Sequence, residues 1–193
     1  NSEQRSETTP HMNAKGVMTG DRKPKDAYRY YQANLLKRPY VAIGSKDWVN
    51  RTGFAQSVNN PVSVQPITIF SNQKKVMLKH NGKQIGTAET ANGMATFDVP
   101  FSHGLNYISA SGADNEIYVA DEVEINFALL SQDLKSSAIP FDEMNISLGD
   151  KRFYYNEKTG QTWIPEQEYK AGSWGYVGGE VFLIKGSTRT GYG

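Results

Sequence analysis

Aromatic and polar side chains interleave between residues 153 and 176, and they are the best candidates for chemistry in this chain. Tyr154, Trp163, Trp174 and Tyr176 stand among Gly160, Gly172 and Gly175. Flat rings of this kind can lie against the apolar C–H faces of sugar rings. Glu166, Gln167 and Asn156, close by in sequence, can exchange hydrogen bonds with hydroxyls. The competing reading places the same rings in a small core, because aromatic side chains dominate core energetics. Aromatic spacing does not separate the two, and core is the favoured reading for most of these rings. The carbohydrate-binding candidates are therefore Trp163, Trp174, Tyr176 and Tyr154.

Other chemistry is sparse. Glu122 and Glu124 would share one face of a strand, as paired carboxylates for acid–base work must. The alternation of Val123, Ile125 and Phe127 sends them to the solvent face instead. The three histidines, His11, His80 and His103, have no neighbours at metal-ligand spacing. No nucleophile elbow, phosphate loop or dinucleotide fingerprint is present, and there is no cysteine. No catalytic residue, metal ligand or cofactor is assigned. Lys and Arg number 21 against 20 Asp and Glu. That balance excludes the basic face needed for nucleic acid. The cluster Arg22 to Lys25 reads as a solvated helix start. No apolar run approaches the ~18 residues of a membrane span.

The elements that must carry these residues begin with a helix. Pro24 suits a first helical turn, where its missing N–H would be unpaired anyway. Ala27, Tyr30, Tyr31, Ala33, Asn34 and Leu35 come after it at mostly helical spacing, and Arg38-Pro39 ends the helix. Nothing in Asn1 to Gly20 could build a core for it. The helix is expected to pack on the β segment C-terminal to it through Tyr28, Tyr31 and Leu35, or else to leave that face exposed.

Short strands come next. Val41-Ala42-Ile43 ends at Gly44, and Val62 with Val64 precedes Pro66 and the run Ile67 to Phe70. Val76 and Leu78 lead to Asn81-Gly82, a strong signal for a type I′ hairpin, and to Ile85, Thr87 and Ala88. Ala95, Phe97 and Val99 alternate, as do Leu105, Tyr107 and Ser109, and then Val123, Ile125 and Phe127. These make an antiparallel β-sandwich of immunoglobulin-like type, without the cysteine pair of antibody domains. The fold class is mainly β: one α-helix, the sandwich, and a partial second β-sandwich segment. Residues 131–140 read as a linker, and Val181 to Ile184 as a strand of the last segment. About fifty residues is marginal for an independent domain without disulfides or metal.

The run Asn13-Ala14-Lys15-Gly16-Val17-Met18-Thr19-Gly20-Asp21-Arg22-Lys23-Pro24-Lys25-Asp26-Ala27-Tyr28 resembles the end of the catalytic barrel in glycoside hydrolase family 2, as found in bacterial β-galactosidases. Val17 stands where that family usually has Leu, and Arg29 where an aromatic residue is common. Ile69-Phe70-Ser71-Asn72 is similar to a strand end of the domain after the barrel. Leu78 to Gly86 resembles its Asn-Gly hairpin, with His80 in place of an apolar residue. Leu105-Asn106-Tyr107-Ile108 resembles its G-x-N-x-I strand. Tyr154, Gly160, Trp163, Tyr169, Gly172 and Tyr176 resemble the start of a malectin-like carbohydrate-binding sandwich.

The resemblance implies a bacterial retaining glycosidase that hydrolyses terminal β-galactosides or related glycans. Its two catalytic glutamates would lie upstream of Asn1, so the chain alone is expected to be inactive. It implies residues 1–38 as the tail of a barrel, 39–130 as the immunoglobulin-like sandwich, and 141–193 as part of the malectin-like domain. It also implies a glycan partner, no cofactor and a periplasmic or secreted location. Two alternatives stand beside it. One is a stand-alone carbohydrate-binding module using the aromatics of 153–176. The other is a structural protein of sandwich repeats, which predicts an internal similarity the two β segments lack.

Overall fold

The computed structural model describes residues 16–57, 59–113, 118–131, 144–156 and 158–179. Its elements, in chain order, are α1 (Asp26–Leu35), β1 (Val41–Ile43), β2 (Asn50–Phe54), β3 (Ser63–Ser71), β4 (Lys75–His80), β5 (Lys83–Glu89), β6 (Met94–Phe101), β7 (Gly104–Gly112), β8 (Ala120–Leu130), β9 (Asn145–Ser147), β10 (Tyr154–Asn156) and β11 (Gln161–Pro165). The chain divides into two compact units. The first draws on Asn1–Val49, Gln65–Val99 and Tyr107–Glu124, and the second on Asn50–Val64, Pro100–Asn106 and Ile125–Gly193. The fold is a β-sandwich preceded by a helix, and the strands expected between Val41 and Phe127 are there. The strand expected over Val181 to Ile184 lies outside the described residues, as does most of the linker.

In the first unit, β1, β3 and β6 form one sheet, and β8, β7, β4 and β5 lie side by side in the other. Ile43, Ile67, Ile69, Val76, Leu78, Phe97, Val99, Ile108 and Val123 supply its core. They recur at every second position, so one face of each strand is apolar. Asn81 and Gly82 have φ of 49° and 79°, as a type I′ turn requires, and they set the β4–β5 register from His80↔Lys83 upward. Pro66 sits inside β3 rather than before it. It is tolerated because β1 pairs only with Ile69, Phe70 and Ser71 and makes no demand on residue 66.

The helix starts later than Pro24 suggests. Residues 17–25 form a tight loop closed by Lys25 N–H donating to Val17 O at 3.0 Å and Thr19 N–H to Lys23 O at 2.9 Å. Pro24 takes part in an isolated bridge with Met18, which leaves Lys25 as the N-cap. Of the two outcomes open for the helix face, exposure holds for Tyr31 and Leu35, which are 52% and 74% accessible. The buried residues are Arg29 and Ala33. Polar bonds hold this face in place of an apolar stripe. Arg29 Nη1 lies 2.8 Å from Asp26 Oδ1, and Asp26 accepts from the N–H and hydroxyl of Ser45 at 2.8 to 3.0 Å.

Beyond α1 the chain is clasped by the end of β3. Asn72 Nδ2 donates to the carbonyls of Leu36 at 2.9 Å and Arg38 at 2.7 Å, while its Oδ1 accepts from Tyr40 N–H at 2.8 Å. Ser71 Oγ donates to Tyr40 O at 2.7 Å. The Ser-Asn pair thus satisfies backbone groups that no strand or helix partners.

The second unit contains β2, which pairs parallel with the C-terminal half of β8 from Asn50↔Asn126 to Phe54↔Leu130. It also holds a small sheet ordered β10-β11-β9. Phe101 and Phe127 stack at 4.9 Å with ring planes 10° apart. Among the described residues no helix is long and apolar enough to cross a membrane.

β7 inverts one expectation. Leu105 and Tyr107 are 72% and 39% exposed, while Asn106, Ile108 and Ala110 are buried. A buried asparagine, which the alternation counts as polar, reverses the apparent phase of the strand.

Candidate carbohydrate-contact site

The four candidate rings lie in the second unit, but the fold does not gather them into one site. Tyr154 and Trp163 are direct partners across the antiparallel β10–β11 pair, so they share a face of that sheet. Tyr154 is 46% exposed and Trp163 is half-buried. Trp174 is 7% exposed. Its ring centroid lies 6.4 Å from that of Phe54, and Phe54 meets Phe153 edge-on at 5.3 Å. Trp174 is thus enclosed in an aromatic cluster with Phe54 and Phe153. Its indole N–H finds no acceptor among the described residues.

Tyr176, 45% exposed, belongs to the loop 167–176. That loop closes on itself through Tyr176 N–H to Gln167 O and Tyr169 N–H to Tyr176 O, both 3.0 Å. Gly175 makes the closure possible. Its φ is 153°, and a Cβ there would sit 2.5 Å from Gln167 O. The loop bounds a cavity of about 530 Å³ lined by Gln167, Glu168, Lys170, Ala171, Gly172, Ser173 and Tyr176. Donors and acceptors of both charges thus surround one exposed phenol.

The polar residues expected to meet hydroxyls have structural duties. Gln167 Nε2 donates to Ser173 Oγ at 3.0 Å and to Trp174 O at 2.8 Å. Glu166 Oε1 accepts from Gly149 N–H at 3.0 Å, and Asn156 Oδ1 from Lys158 N–H at 3.0 Å. Sequence reasoning missed Glu168, Lys170 and Ser173. They line the same cavity as Tyr176, around the short turn Ala171-Gly172-Ser173. Asp150 shows the local electrostatics: the Arg152 side chain, then the Arg152 and Lys151 N–H groups, hold its carboxyl below the usual range.

Glu122 and Glu124 are exposed on β8, as the alternation of their neighbours requires. His103 Nδ1 accepts from Leu129 N–H at 3.2 Å, an anchoring role beside its turn. Among the described residues no group of three or more His, Asp or Glu could hold a metal ion.

No protein-family profile matches the chain. A β-glucuronidase of Bacteroides uniformis is 36% identical, with a TM-score of 0.78, and the match covers 87% of this chain and 20% of that one. The same values hold for Bacteroides uniformis β-glucuronidase 2 covalently bound to a cyclophellitol carboxylate aziridine. A curated protein of Formosa agariphila, provisionally described as a β-glucuronidase, is 30% identical over 125 residues, which is 61% of this chain and 14% of that protein. The chain spans about a fifth or less of the length of these relatives. The resemblance to glycoside hydrolase family 2 read from its motifs therefore holds in fold as well as in sequence, over most of the chain.

Proposed function

We propose that this chain is a non-catalytic C-terminal portion of a retaining β-glycosidase, and that its substrates are β-glucuronides rather than the β-galactosides implied by the motifs alone. The observation that carries the reading is the match to a solved β-glucuronidase along most of the chain. A covalent adduct with a carboxylate-bearing cyclophellitol aziridine in one such relative favours retention, because a retaining enzyme works through a covalent glycosyl intermediate. In this reading α1 is the tail of the catalytic barrel, the sandwich buttresses that barrel, and the protein acts in the periplasm or outside the cell.

The test is a comparison of nitrophenyl β-glucuronide and nitrophenyl β-galactoside hydrolysis by the whole protein that contains this segment. The glucuronide is expected to be preferred by roughly a hundredfold or more in kcat/KM, since a site built to pair a charged group rejects ligands lacking it. The β-anomer should be the first product by NMR, and the 193-residue chain alone should show no turnover above a boiled control. Preference for the galactoside, or an α-anomer as first product, would overturn the reading.

A second reading gives residues 141–193 a malectin-like, glycan-binding role. It is favoured by the exposure of Tyr176 inside a cavity of mixed donors and acceptors. Binding of a glucuronic-acid-capped oligosaccharide that survives Tyr176→Ala unchanged would remove its support.

A further inference from the structure

The first unit carries a second concave surface, on elements without any of the four aromatic candidates. Its cavity of about 730 Å³ is lined by Lys23, Lys46, Asp47, Val49, Tyr107, Glu122, Val123 and Glu124, and falls within the ~300–1,000 Å³ typical of small-ligand sites. Tyr107, Glu122 and Glu124 come from the exposed positions of β7 and β8. Lys46, Asp47 and Val49 come from the loop after β1, and Lys23 from the turn before α1.

The polar groups are held in place. The Tyr107 hydroxyl donates to Glu122, and that bond, followed by desolvation and the charge of Glu122, pushes the phenol above its ordinary range and keeps it a donor. Lys46 is paired with Asp121, whose other oxygen accepts from Ile43 N–H at 2.9 Å. Asp47 lies 3.7 Å from Arg29 Nη2, and Lys23 lies 3.1 Å from Asp21.

We propose that this groove binds an uncharged saccharide, with the Tyr107 ring and Val49 against a C–H face and Glu122, Glu124 and Lys46 on its hydroxyls. The lining narrows the ligand class by exclusion. Asp47, Glu122 and Glu124 repel an anion, and Lys23 and Lys46 offset two of those three charges, so a cation is held only weakly. An apolar ligand would strip water from these charged groups with no replacement for it. A polyhydroxyl ligand gives the carboxylates donors and the ammonium an acceptor, and its C–H face covers the phenol ring. None of this depends on the glycosidase reading, which the nitrophenyl assays test separately.

The experiment titrates the full 193-residue chain with cellohexaose, a neutral oligosaccharide, by calorimetry and saturation-transfer NMR. Saturable binding is expected. Tyr107→Ala and Glu124→Gln should each weaken it by roughly tenfold, a loss of about 1.4 kcal/mol, while Tyr31→Ala, at an exposed ring of α1 that lines neither cavity, leaves it unchanged. Oligogalacturonate, which carries a carboxylate on every ring, should bind more weakly, and Glu124→Gln should narrow that gap. Glu124 is exposed and its replacement nearly isosteric, so the fold is retained; an unchanged melting curve verifies it. The proposal fails if cellohexaose does not bind saturably, if Tyr107→Ala binds like the parent chain, or if Tyr31→Ala abolishes binding.

Discussion

Replacing Asn106 with alanine is expected to cost about 2–4 kcal/mol of folding stability, read as a shift in the denaturant midpoint. Asn106 is fully buried, and its side chain organises the turn between β6 and β7. Oδ1 accepts from Ser102 N–H at 3.1 Å and Ser102 Oγ at 3.3 Å, while Nδ2 donates to the carbonyls of Ser102 and Gly104, both at 2.8 Å. Alanine strands one backbone N–H and two carbonyls, each worth about 1–3 kcal/mol if water cannot replace the amide. Ser102 and Gly104 are half-buried, so water recovers part, and the expected loss is below the full sum.

The variant N106D separates hydrogen bonding from packing. It keeps the volume and one acceptor but turns a second oxygen toward the two carbonyls. The introduced carboxyl should therefore titrate above its usual ~3.9 in the folded chain. The cost is then smallest below that unfolded-state value and grows as pH rises through the raised folded-state value. N106D stability equal to the parent chain at neutral pH would show that the amide's donor bonds are not what holds the turn.

Phe127→Ala is the other large effect, at about 3–5 kcal/mol. Phe127 is 1% exposed, and its stacking partner Phe101 is completely buried. The Arg51 guanidinium lies 5.9 Å from the Phe101 ring centroid. Truncation removes the transfer energy of the ring and leaves a cavity. It also removes the aromatic pair, worth about 0.5–1.5 kcal/mol beyond area. Phe127→Leu refills most of the space and should cost clearly less, about 1–2 kcal/mol. Melting curves of the two variants decide: coincident transitions would mean that neither cavity nor stacking governs this part of the core.

Asn106 also shows where alternation misleads. Leu105, Tyr107 and Ser109 look like the inward face of β7 because Asn106 looks polar, yet the asparagine is buried and fully occupied by the turn. The motif resemblance at Leu105-Asn106-Tyr107-Ile108 carried the better information, since it marks the asparagine and isoleucine together. β2 was illegible for a related reason. Asn50-Arg51-Thr52-Gly53-Phe54 has almost no apolar pattern, but Arg51, Thr52 and Gly53 are buried where the strand pairs with β8. The Asn81-Gly82 hairpin and the Val123, Ile125, Phe127 face were plain because local backbone chemistry and period agree there. For the aromatic candidates, residue type was readable but environment was not. Trp174 and Tyr176 are two positions apart, yet one is enclosed beside Phe54 and the other lines a cavity. That difference depends on tertiary partners from β2 and on the turn at Gly175.

The clasp at Ser71 and Asn72 has a consequence for the order of synthesis. The residue that fixes the chain leaving α1 is made 36 positions after the Leu36 carbonyl it binds. At ~5–20 residues per second, roughly two to seven seconds separate the two on the ribosome. A ten-residue helix is marginal alone in water. Through that interval the clasp itself is missing, and the chain leaving α1 is fixed by Asn72 only when β3 has been translated to its end.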